Sequence, residues 1–286
     1  MTMGQVNPGR GNEPSFAVFA PPATAPATAL VFASPHSGDI YPSDMAPCAA
    51  LTATSLRSAE DCGVDRLVVQ APRRGATLIA GRMGRAYVDL NRDPAELDPE
   101  LVDGVAGPVG AKTAAGYGVL PRLSGDGRPL YDRRLSLAEA VGRLDAVHAP
   151  YHAGLEALML EARSRCGRGV LIDWHSMPAR AADVDVVLGD RHGASCDTRL
   201  TRRLTALFER QGWRVALNRP YAGGWSTQRW GRPEDGLEAI QVELSRRLYL
   251  DEATLAPNAA YGATKTALAR VIADLCAENW AVPVAD

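Results

Sequence analysis

Apolar runs that stop abruptly on polar groups are the main pattern of the chain. Residues 29–34 are largely apolar and lead into Pro35-His36-Ser37-Gly38. Residues 170–172 form a second apolar run and lead into Asp173-Trp174-His175-Ser176. Each run is typical of a buried strand. Because ligands bind beyond the carboxyl ends of strands in open α/β sheets, both histidines are expected to face one crevice.

Further strands and helices alternate along the chain. Short apolar or alternating runs predict strands at residues 76–80, 86–90, 184–188, 213–217 and 237–244. Apolar residues at helical spacing predict helices at residues 56–70, 136–165, 196–211 and 256–278, with Pro150 kinking or dividing the second. The alternation predicts an α/β fold in which a mostly parallel sheet is covered by helices on both faces, as a three-layer α/β/α sandwich.

Several segments lack any period. Residues 1–15 are rich in Gly, Pro and polar residues and are expected to form a flexible N-terminal tail, and residues 16–28 are expected to run extended over the surface. Residues 95–135 carry many Gly and Pro, and we expect them to arch over the crevice. Residues 218–235 are typical of a loop. With no repeat and no linker, residues 16–286 are predicted to form a single catalytic domain.

Composition narrows the function classes. The 31 basic and 33 acidic residues nearly balance, so we expect neither nucleic acid nor an anionic membrane as a partner. Five scattered cysteines without a CxxC pair suggest reduced thiols and a cytoplasmic location. No apolar run approaches the about 20 residues that span a bilayer, and no signal-peptide pattern opens the chain. Oligomeric state is not indicated.

The two histidines at strand ends predict a metal site. Zinc takes His nitrogen and carboxylate oxygen, and one position stays open in catalytic sites. His36 and His175 are the expected ligands, and the third is an acid to be chosen among Asp39, Glu60 and Asp61. Asp173 should project to the same side of its strand as His175 and orient that ring. The alternative is that each histidine is a hydrogen-bonded structural residue.

Glu243 ends an otherwise apolar strand, where an unpaired carboxylate is costly. A Glu beside an activated water would take its proton and pass it to a leaving amine, so Glu243 is the predicted general base. The alternative is a salt bridge from Glu243 to Arg246 or Arg247.

Asn91-Arg92 is the predicted substrate anchor, because Arg grips a carboxylate in bidentate fashion and Asn adds a neutral donor. Pairing of Arg92 with Asp89 or Asp93 is the alternative. Arg122 and Arg229 lie in loops; Arg122 is predicted to polarise the scissile carbonyl and Arg229 to add a second anion contact.

Three remaining histidines are not assigned to the metal site. His148 and His152 lie four residues apart on a predicted helix with Pro150 between them and no neighbouring acid of the HExxH kind. His148 is interpreted as a surface residue, His152 as a structural one and His192 as a loop residue.

An ordered set of short motifs resembles a known family. The motifs are Ser34-Pro35-His36-Ser37-Gly38, Glu60-Asp61, Val88-Asp89-Leu90-Asn91-Arg92, Tyr151-His152, Asp173-Trp174-His175-Ser176-Met177-Pro178, Tyr221-Ala222-Gly223-Gly224 and Gln241-Val242-Glu243-Leu244. In this order, from about residue 16 to 275, they resemble the N-formylglutamate amidohydrolase family. One departure is Cys62-Gly63, where members nearer the histidine-degradation enzyme usually read Trp-His.

The resemblance implies a phosphorylase/hydrolase-like fold similar to zinc carboxypeptidases and aspartoacylases. It also implies one zinc per chain, held by His36, His175 and an acid at the Asp61 position, with Glu243 as base. The His-x-x-Glu spacing of carboxypeptidases would instead select Asp39. The expected substrate is a small N-acyl acidic amino acid, N-formyl-L-glutamate by resemblance. A zinc carboxypeptidase or amidase for another acylated amino acid or peptide, and a metal-free binding protein, are the alternatives.

Overall fold

The computed structural model describes residues 13–280. Its centre is a mixed sheet of seven strands in the order β1-β3-β2-β4-β7-β5-β6. The strands are β1 (Phe16–Phe19), β2 (Leu30–Ser34), β3 (Thr77–Gly81), β4 (Gly169–Met177), β5 (Val186–Gly189), β6 (Val215–Leu217) and β7 (Leu237–Ser245). A two-stranded hairpin, β8 (Leu250–Asp251) and β9 (Ala256–Pro257), follows the sheet.

The sheet is mostly parallel. β2 pairs in parallel with β3 and β4, β4 with β7, and β5 with β6. The antiparallel pairs are β1 with β3 and β5 with β7. The longest ladder joins β4 to β7 over nine residues, from Gly169↔Leu237 to Met177↔Ser245. This ladder fixes which side chains of the two central strands stand side by side.

Helices cover both faces of the sheet, as predicted. They are α1 (Ala53–Arg57), α2 (Val64–Leu67), α3 (Ala111–Ala114), α4 (Leu137–Arg143), α5 (Ala149–Cys166), α6 (Thr198–Glu209), α7 (Trp225–Trp230) and α8 (Tyr261–Cys276). Alternate residues of β4 enter opposite cores because side chains on a strand alternate. Ile172 and Trp174 pack in one core with α2, α6 and α8, and Leu171 packs in the other with α4, α5 and α7. The predicted three-layer α/β/α class is confirmed.

Two predicted elements near the crevice are wrong. The helix expected at residues 56–70 is two short helices, α1 and α2, separated by residues 58–63. Gly63 has a φ of 73°, which an α-helix does not accommodate in its interior. The strand expected at residues 86–90 is a series of turns, in which the Asp89 N–H donates to the Val119 carbonyl over 2.8 Å. Its apolar alternation therefore reflects burial against the 95–135 segment, without a strand partner.

The helix predicted at residues 136–165 is present with a defect where Pro150 was expected to disturb it. One π-helical stretch, Leu144–His148, joins α4 to α5. Pro150 lacks an N–H and lies in the first turn of α5, where that donor is not needed. The predicted strand ending at residue 172 is longer than expected, since β4 continues through Asp173 and His175.

The remaining differences are at the edges. Residues 16–19, expected to lie extended on the surface, add β1 to the edge of the sheet, and the loop expected at residues 218–235 contains α7. Residues 1–12, most of the predicted tail, lie outside the described residues. Glu13 and Ser15, the described end of that tail, contact Arg82 through an ion pair of 2.7 Å and a backbone hydrogen bond of 2.9 Å. Within residues 13–280, no helix combines the length and apolar character needed to cross a bilayer.

Candidate active site

The carboxyl ends of three neighbouring strands deliver the polar side chains. His36 follows β2, His175 lies near the end of β4, and Glu243 lies near the end of β7. In the β4–β7 ladder, Asp173 stands beside Gln241 and His175 beside Glu243. These residues share the face of Leu171, so the polar groups continue one apolar face of the sheet beyond its core.

His36, His175 and Asp61 form a compact buried tripod. The two Nδ1 atoms lie 3.1 Å apart, and Asp61 Oδ2 is 3.3 Å from His36 Nδ1 and 3.0 Å from His175 Nδ1. One ligand atom from each residue lies within 4.8 Å of the other two. The tripod brings together residues up to 139 positions apart in the sequence.

The break between α1 and α2 places Asp61. Its backbone N–H donates to the His36 carbonyl over 2.9 Å, and its Oδ1 accepts from the Ser176 hydroxyl over 2.9 Å. A continuous helix through residues 56–70 would not allow these contacts. Glu60 turns instead into a buried cluster with Arg57 and Tyr41. Among the three acids considered from the sequence, the structure therefore brings Asp61 to the histidines, and neither Asp39 nor Glu60.

A carboxylate lies behind each imidazole ring of the tripod. His36 Nε2 donates to Asp89 Oδ1 over 2.7 Å, which leaves Nδ1 as the nitrogen that faces Asp61. His175 Nε2 lies 2.9 Å from Asp173 Oδ2, as expected for a residue two positions earlier on the same strand. Such outer carboxylates fix the tautomer of a metal-binding histidine and raise its basicity.

The electrostatics of the tripod suit a cation. Burial alone would raise the pKa of Asp61, but hydrogen bonds and charge from His175 and His36 outweigh it and hold that pKa well below its usual range. Burial would lower the pKa of His175, whereas Asp173 and Asp61 hold it well above its usual value. Two imidazoles and one carboxylate form a donor set that zinc takes, and three protein ligands leave a position open. The residues present therefore fit a single divalent ion.

Glu243 lies in the same pocket with little to neutralise it. Burial and the charge of Asp61 together raise its pKa to about 7, against lowering by His175 and Arg85. Its Oε1 accepts from Gln241 Nε2 over 2.7 Å. Arg246 and Arg247, the alternative partners, contact other groups: Arg247 pairs with Asp185 at 2.9 Å, and Arg246 donates to the Glu60 carbonyl at 2.6 Å. A buried carboxylate with a pKa near neutrality has the properties of a general base.

A cavity of about 350 Å³ opens above these groups. His36, Asp61, His175 and Glu243 line its floor together with Asn91, and residues of the 95–135 segment also line it, as expected of an arching loop. Asn91 Nδ2 lies 3.3 Å from His175 Nε2, so the predicted substrate anchor is adjacent to the tripod.

Arg92 is beside Asn91 and keeps a donor free. It lines the cavity, and its Nε is buried without a hydrogen-bond partner among residues 13–280. The nearest carboxylate oxygen among residues 13–280, Asp89 Oδ2, lies 3.9 Å from this Nε, which is beyond hydrogen-bond distance. Arg85 also lines the cavity and was missed from the sequence; its Nε donates to Asp89 Oδ2 over 2.9 Å. The four-residue spacing between Arg85 and Asp89 was the feature of the sequence that could have indicated this pair.

The structure does not bring Arg122 and Arg229 into the cavity. Pro121 and Leu123 line it, whereas Arg122 turns away to Asp98 and Glu100, each at 2.9 Å. Arg229 pairs with Glu156 at 3.3 Å. Both guanidinium groups are thus ion-paired on the protein, and the predictions that assigned them to substrate find no geometric support.

His148 and His152 support the anchor from behind. His152 Nε2 donates to the Leu90 carbonyl over 2.8 Å and His148 Nε2 to the Arg92 carbonyl over 2.9 Å. Both rings pack against Trp225. The structural interpretation of His152 is correct, whereas His148 is buried and its interpretation as a surface residue is wrong.

Comparisons with known proteins identify relatives of this chain. A family model described as N-formylglutamate amidohydrolase matches residues 28–250. The chain belongs to the N-formylglutamate amidohydrolase family. An N-formylglutamate deformylase of Pseudomonas aeruginosa is 32% identical over 201 residues, which are 67% of this chain and 71% of that protein. The resemblance noted in the sequence is confirmed, and with it the class of hydrolases that act on linear amide bonds.

Solved structures extend the likeness over the whole fold. A crystal structure of N-formylglutamate amidohydrolase from Ralstonia eutropha superposes with a TM-score of 0.86 at 32% identity, covering 92% of this chain and 97% of that one. A gene product of Agrobacterium tumefaciens superposes with a TM-score of 0.64 at 21% identity, covering 93% of this chain and 98% of that one. The second likeness concerns the fold alone.

Proposed function

We propose that the protein is a zinc-dependent amidohydrolase that converts N-formyl-L-glutamate and water to formate and L-glutamate. The observation that carries the proposal is the buried His36–Asp61–His175 tripod with Glu243 on the adjacent strand, in a chain of this family. When bound by the three residues, zinc supplies Lewis-acid chemistry for the attack of water on an amide carbonyl.

The protein's own residues have three tasks. Asp89 and Asp173 hold the two imidazole rings in the orientation that leaves each Nδ1 directed at the tripod centre. Arg92 holds a substrate carboxylate through its guanidinium group, whose buried Nε has no hydrogen-bond partner among residues 13–280. Glu243 accepts a proton from the attacking water at its carboxylate and returns it to the leaving amine nitrogen, for which a pKa of about 7 is well matched.

Neither alternative function is favoured by a specific observation. The cavity of about 350 Å³ suits a small acylated amino acid, and no described feature marks an extended peptide groove. The complete donor set beside a perturbed carboxylate also argues against a binding protein that has lost its metal.

The test is steady-state hydrolysis by zinc-loaded protein. Release of L-glutamate, the product common to all three hydrolyses, is measured with N-formyl-L-glutamate, N-acetyl-L-glutamate and a dipeptide ending in glutamate. We expect the formyl compound to have the highest kcat/KM and a chelator to abolish turnover. Hydrolysis of the dipeptide alone would support the carboxypeptidase alternative, and no turnover of any compound by metal-loaded protein would contradict the proposal.

A further inference from the structure

Lys112 is an unusual cation in this chain. Of the 31 basic residues only two are lysines, Lys112 and Lys265. Lys112 lies on α3, in the 95–135 segment that arches over the cavity, and lines the cavity above the tripod. Its side chain is exposed, and among residues 13–280 no carboxylate lies within 4.0 Å of its ammonium group. A flexible ammonium at the wall of the cavity is therefore available to an anionic ligand.

The other cationic residues that line the cavity differ in whether their side chains are already paired within the protein. Arg85 is paired with Asp89 at 2.9 Å. Arg246 is buried and donates to the carbonyls of Ser58 and Glu60. Arg92 keeps its buried Nε without a partner. Two of the four cationic residues that line the cavity, Arg92 and Lys112, thus lack a carboxylate at hydrogen-bond distance.

The segment that carries Lys112 is fastened to the site. Thr113, the next residue, is fully buried and donates its hydroxyl to Glu96 over 3.1 Å. The Lys112 carbonyl accepts from the Tyr117 N–H over 2.9 Å, and the Val119 carbonyl accepts from the Asp89 N–H over 2.8 Å. Asp89 is the carboxylate that orients His36. These bonds give the backbone at Lys112 a defined position at the cavity wall.

The two available cations match a substrate with two carboxylates. In an N-acyl glutamate, the α-carboxylate is on the carbon that bears the scissile nitrogen, and the second carboxylate is two methylene groups further along. Arg92 neighbours Asn91, which lies 3.3 Å from a tripod histidine, so Arg92 is placed for the carboxylate nearer the scissile bond. Lys112, on the wall formed by the arching segment, is placed for the farther one.

We propose that Lys112 determines specificity for acidic amino acids by pairing with the side-chain carboxylate of the substrate, while Arg92 holds the α-carboxylate. This inference rests on the proposed function. It accounts for the presence of a compact, mobile ammonium at a site where the chain otherwise uses planar guanidinium groups.

The experiment compares Lys112→Met with Lys112→Arg and with the matched control Lys265→Met, which removes the other lysine from α8, outside the cavity lining. Each protein is assayed with N-formyl-L-glutamate and with N-formyl-L-glutamine, which replaces the second carboxylate by a neutral amide. We expect Lys112→Met to lower kcat/KM about tenfold for the acid, the scale of one charge-assisted hydrogen bond, mainly through KM. The amide should be nearly unaffected, Lys112→Arg should recover most of the loss, and Lys265→Met should match the wild type.

A binding measurement separates this inference from the proposed function. Isothermal titration of the zinc-loaded proteins with L-glutamate and L-glutamine needs no turnover. If the wild type prefers glutamate and Lys112→Met removes that preference, the role of Lys112 stands even when N-formyl-L-glutamate is not hydrolysed. If the wild type hydrolyses N-formyl-L-glutamate but Lys112→Met lowers kcat/KM equally for acid and amide, or not at all, Lys112 does not recognise the second carboxylate and the inference is overturned.

Discussion

His175 and Glu243 stand side by side as register partners on two parallel strands. Because partners in such a ladder project from the same face, the ladder itself holds a metal-ligand candidate next to the predicted base. The relative position of the two groups is therefore set by nine paired residues of backbone, and no flexible loop intervenes.

Replacing the predicted base should stop chemistry and spare the metal site. We expect Glu243→Gln to lower kcat by about 100-fold or more, because the amide cannot accept the proton of the attacking water. Zinc content should remain at the wild-type level, since Glu243 is not in the tripod. The matched control is Glu238→Gln on the same strand, whose carboxylate pairs with Arg168 outside the cavity. Residual activity in Glu243→Gln equal to that of Glu238→Gln would contradict the assignment.

The third ligand is tested by exchanging one acid at a time. Loss of a residue that only hydrogen-bonds to a metal ligand weakens metal binding by roughly 10- to 100-fold. We expect Asp61→Asn, which changes a ligand itself, to weaken zinc binding by more than that. Asp39→Asn should bind zinc as the wild type does, because the structure does not bring Asp39 to the histidines. Zinc is quantified by elemental analysis after dialysis against a competing chelator. Equal zinc loss in both variants would show that the loop acids act together and that the tripod is incomplete.

Zinc affinity should depend on pH through His175. Asp173 and Asp61 hold the pKa of His175 above its usual 6.5, so in the metal-free protein this ring loses its proton at a higher pH than a free imidazole does. Zinc must displace that proton. Affinity should therefore rise about tenfold per pH unit up to the raised pKa and fall as the pH is lowered. Calorimetry in two buffers of different ionisation enthalpy counts the released protons, and an affinity that is constant from about pH 6 to 8 would contradict the expectation.

The support behind the anchor is tested at His152. Burial lowers the pKa of His152 to about 3, so the neutral ring donates to the Leu90 carbonyl at ordinary pH. His152→Phe keeps an aromatic ring against Trp225 but removes the donor, and we expect a stability loss of about 1–3 kcal/mol. KM should rise more than kcat falls, because Asn91 and Arg92 lose their backbone support. His192→Asn, in an exposed loop, is the control for thermal unfolding and kinetics.

Sequence reasoning identified the strand ends but not the break that completes the site. The apolar runs before His36 and His175 are continuous and therefore predictable. In contrast, Leu56, Val64, Leu67 and Val68 share a helical spacing, and that spacing concealed the interruption that turns Asp61 toward the histidines. Gly63 was the local signal of the interruption. The choice of Asp61 in the sequence came from the family resemblance.

Loop arginines were the weakest predictions for a physical reason. Arg122 and Arg229 have long side chains and acids within reach on other segments, and only the tertiary fold decides between an ion pair and a cavity. Lys112 belongs to no motif that the sequence analysis recognised. Its position depends on how residues 95–135 fold back over the sheet, and their lack of periodicity left that path open.

The three tripod residues are far apart in the sequence, and this has a consequence for the stability of the protein. His175 lies 114 positions from Asp61 and 139 from His36. The unfolded chain does not hold these three residues together, so it would bind zinc more weakly than the native state does. An ion bound only by the native state raises the melting temperature in proportion to the logarithm of its free concentration. If zinc occupies the tripod, the metal-free protein is the less stable form and should be the one that proteases degrade first.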